Sequence, residues 1–275
     1  MNDAQEKDLK IEAVFHSDVG IRKKTNQDSM LMKEADTEYG RVFLAAVCDG
    51  MGGLANGEVA SATVVRRLSE WFDSEFPLLL YGNNISPGSP EFIRLVRESL
   101  VNLLISTNND IFWYGKRKRA PLGSTAVVLL LAAGSYYILN VGDSRCYKVS
   151  GSLEQLTKDQ SLVQRKIDRG LIREEDAEKD PERNVLLQCI GATSEVCPDF
   201  YMGSYETDDV FVLCSDGFRH ELKAEELFYY FSSDYVADER KLKRSCVDLT
   251  ELVKKRKEQD NISVIAVRVK EERYV

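Results

Sequence analysis

Five acidic residues share a setting that chemistry could use. Asp49 in "VCDGMGG", Asp216 in "LCSDGF", Asp143 in "NVGDSR", Asp260 in "EQDNIS" and Asp28 in "TNQDS" each stand beside Gly, Asn or Ser at the edge of an apolar run. Any one of them alone reads as a tight turn. Five at the edges of different strands read as a gathered set of carboxylates, which would repel one another and resist desolvation. Divalent cations remove that penalty. All-oxygen ligation selects hard ions, so Mn²⁺ or Mg²⁺ is expected rather than Zn²⁺. His16 and His220 are the only histidines, which leaves no cluster for zinc or iron. Two ions roughly 3.5–4 Å apart that share a carboxylate can hold and acidify a water, which then attacks phosphorus in line.

Other routes to phosphate chemistry are missing. No cysteine is followed six positions later by Arg, so a cysteine-nucleophile loop is absent. No phosphate-cradling G-x-x-x-x-G-K-[ST] exists, since the one Gly-Lys pair, Gly115–Lys116, runs into Arg117. "GDSRC" lacks the closing glycine of a serine elbow. A metal-held water remains.

Strand-like runs at 11–16, 41–48, 125–131, 136–141, 145–149, 210–214 and 262–269 must deliver these acids. Several are separated only by turn residues, which favours antiparallel hairpins. Apolar stripes predict helices through Ala60, Val64, Leu68 and Phe72, through Phe92, Val96, Leu100 and Leu103, and through Leu242, Cys246, Leu249 and Val253. The first is expected to run from about Gly57 to Phe72. "YGNNISPGSP" (81–90) reads as a loop, and the charge-rich span 161–184, with a helix stop at Gly170, as a surface insertion. Hairpins with helices between them imply layered α and β structure in one domain.

A net charge of −8 argues against nucleic-acid binding. Basic runs at 116–119 and 254–257 read as solvated helix ends, with a docking patch for an acidic partner as the alternative. No apolar stretch approaches the ~20 residues of a membrane span. The polar start, residues 1–10, reads as a frayed leader to a cytoplasmic domain, and the six cysteines as reduced thiols.

Taken together, "SDVG", "KKTNQDS", "VCDGMGGLANGEVAS", "GSTAV", "NVGDSR", "LLQCIGA", "LCSDGF" and "DNISVIAV" resemble, in order and spacing, the metal-dependent protein phosphatase 2C (PPM) family, its bacterial branch in particular. The resemblance covers about 11–269. It implies an α+β fold, a four-layer αββα sandwich of two antiparallel sheets flanked by pairs of helices, as a single catalytic domain over 11–270. It implies hydrolysis of phosphoserine and phosphothreonine in proteins by a hydroxide between two Mn²⁺ or Mg²⁺ ions. Asp49 matches the carboxylate that bridges both ions, and Gly50 the residue lending its backbone carbonyl. Asp216 and Asp260 match further ligands of the first ion, Asp28 the acid near the second, and Asp143 a ligand of a third, weaker site. Residues 157–184 match the family's flap. Phosphorylated proteins are then the partners, with a Ser/Thr kinase as functional opponent.

Three positions depart from the pattern. Lys23, with Arg22 beside it, stands where many relatives hold substrate phosphate with Arg, so the bidentate fork is lost. Met51 stands where eukaryotic members carry a proton-donating His, which methionine cannot replace. His220 stands where some relatives have another Asp for the third ion, and Asp143 as a simple turn residue stays open. Two other readings also stay open: a catalytically silent interaction module on the same fold, and a two-metal phosphodiesterase or nuclease.

Overall fold

The structure is a computed structural model and describes residues 9–51, 56–82 and 85–271. In chain order it forms β1 (Leu9–Asp18), β2 (Ser29–Thr37), β3 (Gly40–Cys48), β4 (Gly50–Met51), α1 (Gly57–Tyr81), α2 (Pro90–Lys118), β5 (Gly123–Ser124), β6 (Ala126–Ala132), β7 (Ser135–Val141), β8 (Arg145–Val149) and β9 (Leu153–Gln155). After α3 (Leu162–Asp168) and a 3-10 turn (Glu174–Lys179) come β10 (Asp199–Ser204), β11 (Val210–Cys214), α4 (Asp216–Arg219), α5 (Ala224–Phe231), α6 (Glu239–Lys255) and β12 (Ile262–Glu271).

Two five-stranded sheets result, with orders β1-β12-β11-β8-β9 and β10-β7-β6-β3-β2, and β4 pairs with β5 as a separate ribbon. The pairing is antiparallel throughout the described ladders. The period of two along β3 explains the layering. Val42, Leu44, Ala46 and Cys48 join the cluster beneath α1 and α2, whereas Phe43, Ala45 and Val47 face the layer between the sheets. A strand buried on both faces must be apolar at nearly every position, which is why "VFLAAVC" is continuous rather than alternating. On the far side, α6 lays Leu242, Cys246, Leu249 and Val253 onto the outer face of the other sheet beside Phe231 of α5. The four-layer α+β sandwich is therefore present.

Helix α1 outruns its expected end at Phe72, because Phe76 and Leu80 continue the buried stripe past Pro77. Helix α2 is capped by Ser89, whose hydroxyl accepts the Phe92 N–H at 3.2 Å, and opens with Pro90 where no intrahelical donor is required. In the excursion 157–184, α3 ends beside Gly170, which takes a positive φ of 67°. Lys166 ties its two limbs together by binding Asp180 at 2.7 Å. The leader expected over 1–10 lies outside the described residues up to residue 8, while Leu9 and Lys10 already belong to β1. Residues 83 and 84 of the expected loop lie outside them too. All six cysteines are free thiols. No helix among the described residues is long and apolar enough to cross a membrane.

The outer α5–α6 layer carries a pH-sensitive clamp. Arg256 forks onto Glu226, Nη2 to Oε1 at 2.6 Å and Nη1 to Oε2 at 2.7 Å. That hydrogen bonding pulls the Glu226 carboxyl from 4.5 to about 2. A depressed carboxylate stabilises the fold above its unfolded value and loses that contribution as the pH falls through the folded one. The pair lies near the surface, so solvent screening limits the coupling to about 1 kcal/mol or less. A double-mutant cycle of Glu226→Gln and Arg256→Met in urea should show that coupling at neutral pH and a smaller one as the pH approaches about 3.

Candidate active site

The acids arrive at one edge of the sandwich from separate strands. Asp49 follows β3 and is locked by a reciprocal pair: its N–H donates to Thr125 Oγ1 at 2.9 Å, and the Thr125 N–H donates to its carbonyl at 2.9 Å. Thr125 in turn shares a hydrogen bond with Ser144, the residue after Asp143, at 2.7 Å. Asp216 opens α4 directly after β11, and Asp260 precedes β12, the neighbour of β11 in the sheet. Asp28 precedes β2, its N–H held by Asn26 Oδ1 at 3.1 Å.

Burial and mutual repulsion mark the cluster. Loss of solvent pushes Asp49 well above the usual carboxylate range, and the charges of Asp28, Asp216, Asp260 and Asp143 push it further. Asp28 is raised to about 7 by burial and by Asp216 and Asp260, against the pull of the nearby Ser263 and Ser215 hydroxyls. Asp216 is raised by burial and Asp260, against the pull of Arg219 and of a hydrogen bond with Asp49. These side chains are therefore close enough to feel one another. Among the described residues no three of the acids already close on a common point. Both carboxylate oxygens of Asp28 and Oδ1 of Asp216 are buried without a hydrogen bond of ordinary geometry; the Ser263 and Ser215 hydroxyls near Asp28 instead bond Ser17 and the Ser263 carbonyl. Buried polar atoms are ordinarily satisfied, so hard oxygen donors are present and unspent, and the donor set fits Mn²⁺ or Mg²⁺.

Gly50 has a geometric reason to be glycine. A Cβ there would lie 2.3 Å from the Gly57 carbonyl oxygen and 2.4 Å from that of Gln27. The start of α1 and the loop before Asp28 thus crowd onto this one backbone unit. Gly52 and Gly53, the rest of the glycine cluster, lie outside the described residues.

Lys23 reaches the cluster, with Nζ 2.7 Å from Asp260 Oδ1. Burial works against its charge, but the Asp260 contact and the fields of Asp49 and Asp216 raise it. Arg22 instead donates to Gln259 at the surface. Asp143 sits against a cation: Arg219 Nη2 is 3.6 Å from its Oδ2 and donates to its carbonyl at 3.3 Å. Burial and Asp216 still lift it to about 7. His220 places Nε2 3.9 Å from Asp216 and Nδ1 3.8 Å from Glu258.

The supporting residues escape a reading of sequence alone. Asn261 accepts the Gln27 N–H at 2.9 Å and donates to the Val19 and Thr25 carbonyls at 3.0 and 3.1 Å. It fastens the loop that carries Lys23 and Asp28 to the strand that follows Asp260. Glu258 accepts the Asp260 N–H at 2.8 Å. Arg219 forms a buried network, its Nη2 also 3.2 Å from Asp159, onto which Arg145 forks at 2.7 and 2.8 Å.

Comparison with known proteins places this edge in context. The protein phosphatase 2C family model matches residues 20–253. The serine/threonine phosphatase Stp of Listeria welshimeri is 31% identical over 93% of this chain and 94% of its own. Among solved structures, Stp1 from Staphylococcus aureus superposes with a TM-score of 0.79 at 28% identity, covering 94% of this chain and 95% of that one. The catalytic domain of the serine/threonine protein phosphatase PstP, solved in complex with two manganese ions, gives a TM-score of 0.74 at 26% identity, covering 95% of this chain and 99% of that one. The same sandwich, and a family match over most of its length, make this chain a member of the protein phosphatase 2C family of phosphoric monoester hydrolases.

Proposed function

We propose that this chain hydrolyses phosphoserine and phosphothreonine monoesters in proteins, using Mn²⁺ or Mg²⁺ held by Asp28, Asp49, the Gly50 carbonyl, Asp216 and Asp260. The reading is carried by the unpartnered, buried carboxylate oxygens of Asp28 and Asp216, set in the mutual fields of Asp49 and Asp260. When bound, such ions would supply positive charge to phosphoryl oxygens and acidity to a water. Asp49, fixed between β3 and Thr125, would hold metal with its carboxylate. Asp143 faces the same edge as the ligand of a third, weaker site, with Arg219 competing for its carboxylate. Lys23 supplies a point charge for the substrate phosphate, with Arg22 a weaker contributor one residue away. Met51 offers no proton for the leaving group, so that proton comes from solvent at the site.

By extension from the relatives' activity alone, the substrates are products of protein Ser/Thr kinases, and the setting is the cytoplasm. The discriminating experiment uses manganese-replete protein with a phosphothreonine peptide, para-nitrophenyl phosphate and a phosphodiester. Phosphate release from both monoesters, lost in chelator and restored by Mn²⁺, is expected. Turnover of the diester with monoesters ignored, or no turnover at all, would overturn the reading.

Lys23 adds a graded test. Lys23→Ala should raise KM for a phosphopeptide about ten-fold while kcat falls less, the sign of lost binding shared by ground and transition states. Lys23→Arg should restore binding and tighten it by supplying the fork.

A further inference from the structure

The basic run that closes α2 lines a cavity that the site chemistry does not use. The cavity has a volume of about 700 Å³ and an apolar interior that includes Phe112, Leu122 and Leu186, with Lys116 and Arg119 at its rim. That size lies within the ~300–1,000 Å³ typical of ligand pockets. Lys116 Nζ stands 5.2 Å over the Phe112 ring, so the charge and the apolar wall form one surface.

Its position ties it to the acids. Met51 and Gly123, which pair across the β4–β5 ribbon, both line it, and Met51 is two residues from Asp49. The opposite wall is stitched to the same ribbon, because Ser124 and Ile190 exchange backbone hydrogen bonds at 2.9 Å in each direction. Cys189, on that wall, feels the charges of Asp49 and Asp143. There is no slack in the seam. A Cβ on Gly123 would lie 2.5 Å from Cys189 Sγ, and one on Gly191 would lie 2.2 Å from Ile111 Cγ2. The cavity thus adjoins the ribbon that follows Asp49, and Lys116 and Arg119 give its lining positive charge on a chain of net charge −8.

We propose that this cavity is a substrate-docking subsite: it takes an apolar side chain from the phosphoprotein segment being dephosphorylated, while Lys116 and Arg119 engage an acidic residue next to it. The proposal rests on the phosphatase reading above. An extended chain advances ~3.3 Å per residue, so the apolar residue falls within about three positions of the phosphorylated one. An apolar interior selects Leu over Ala by the carbons it removes from water, about ten-fold in kcat/KM.

The test uses phosphothreonine peptides in which one flanking position at a time carries Leu, Ala or Lys, with and without an adjacent Glu, and para-nitrophenyl phosphate as the reporter that has no flanking residue to dock. At one or two positions Leu should exceed Ala by about ten-fold and Lys by more. Ala192→Trp, which fills the mouth of the cavity, should erase that preference and leave para-nitrophenyl phosphate turnover unchanged. Lys116→Glu should reverse the benefit of the adjacent Glu. Fluorescence anisotropy of the same labelled peptides reads the subsite independently of turnover, so an inactive preparation would count against the phosphatase reading while the binding ranks still judge the subsite. Equal handling of Leu and Ala at every position, or an Ala192→Trp variant that slows peptide and small substrate alike, would overturn the proposal.

Discussion

Asp49→Asn is expected to lower kcat/KM toward a phosphopeptide by about 10³-fold or more and, in chelator, to raise the melting temperature. The two effects have one cause. Asp49 lies half-buried within the cluster, and loss of solvent together with Asp28, Asp216, Asp260 and Asp143 keeps it from ionising. Without a cation, folding gathers like charges that the unfolded chain keeps apart in water. The amide keeps the size of the side chain and the Thr125 backbone lock, but removes a carboxyl that folding must either bury charged among its neighbours or protonate. Relief of about 1 kcal/mol corresponds to roughly 2–4 °C for a chain of this size. With metal the order reverses. Mn²⁺ bound only by the native state stabilises the parent in proportion to its affinity, and the variant should lose most of that rise. Thermal melts with chelator and with Mn²⁺ check this directly. A variant less stable than the parent in chelator, or one that keeps the full manganese shift, would show that Asp49 does not sit at the charge focus.

How far the sequence alone could have reached this point depends on what each residue does. The acids were legible because a carboxylate beside Gly, Asn or Ser at the end of an apolar run is a local pattern. β3, β6 and β11 were legible because strands buried on both faces are uniformly apolar. β2 and β10 were not seen, since both are edge strands with half-exposed side chains and lack a clean period of two. Asn261 and Thr125 stayed hidden for a different reason. Their work is to hold backbone groups brought near by folding, and no spacing announces that a side chain at 261 will clasp residues 19, 25 and 27. The contact of Lys23 with Asp260 is of the same kind, as is the crowding that requires glycine at position 50. Types of chemistry can be read from local motifs; the partners that position them are a property of the packed sheets.

Arg219 is the largest such omission, and its removal should cost about 3 kcal/mol of stability or more. The side chain is 6% exposed and stands between Asp143 and Asp159, while Arg145 covers the other side of Asp159. Two guanidinium groups thus face two carboxylates in a buried space. Breaking such a pair from one side leaves a charge without compensation, which is far more destabilising than never having had the pair. Arg219→Met should therefore shift the urea midpoint strongly downward. Arg219→Met with Asp159→Asn should lose less than the sum of the two single changes, because the second removes the charge that the first strands. The pH dependence follows from Asp159. Burial would raise it, but the Arg145 hydrogen bonds and the Arg219 charge hold it below its ordinary 3.8. Its stabilising contribution is present above that value and fades as the pH falls through the lower folded one. The gap between parent and Arg219→Met should consequently be widest near neutral pH and shrink in acid. A gap below about 0.5 kcal/mol at neutral pH, the size of an ordinary surface change, would mean that Arg145 alone compensates both carboxylates and that Arg219 is dispensable to the fold.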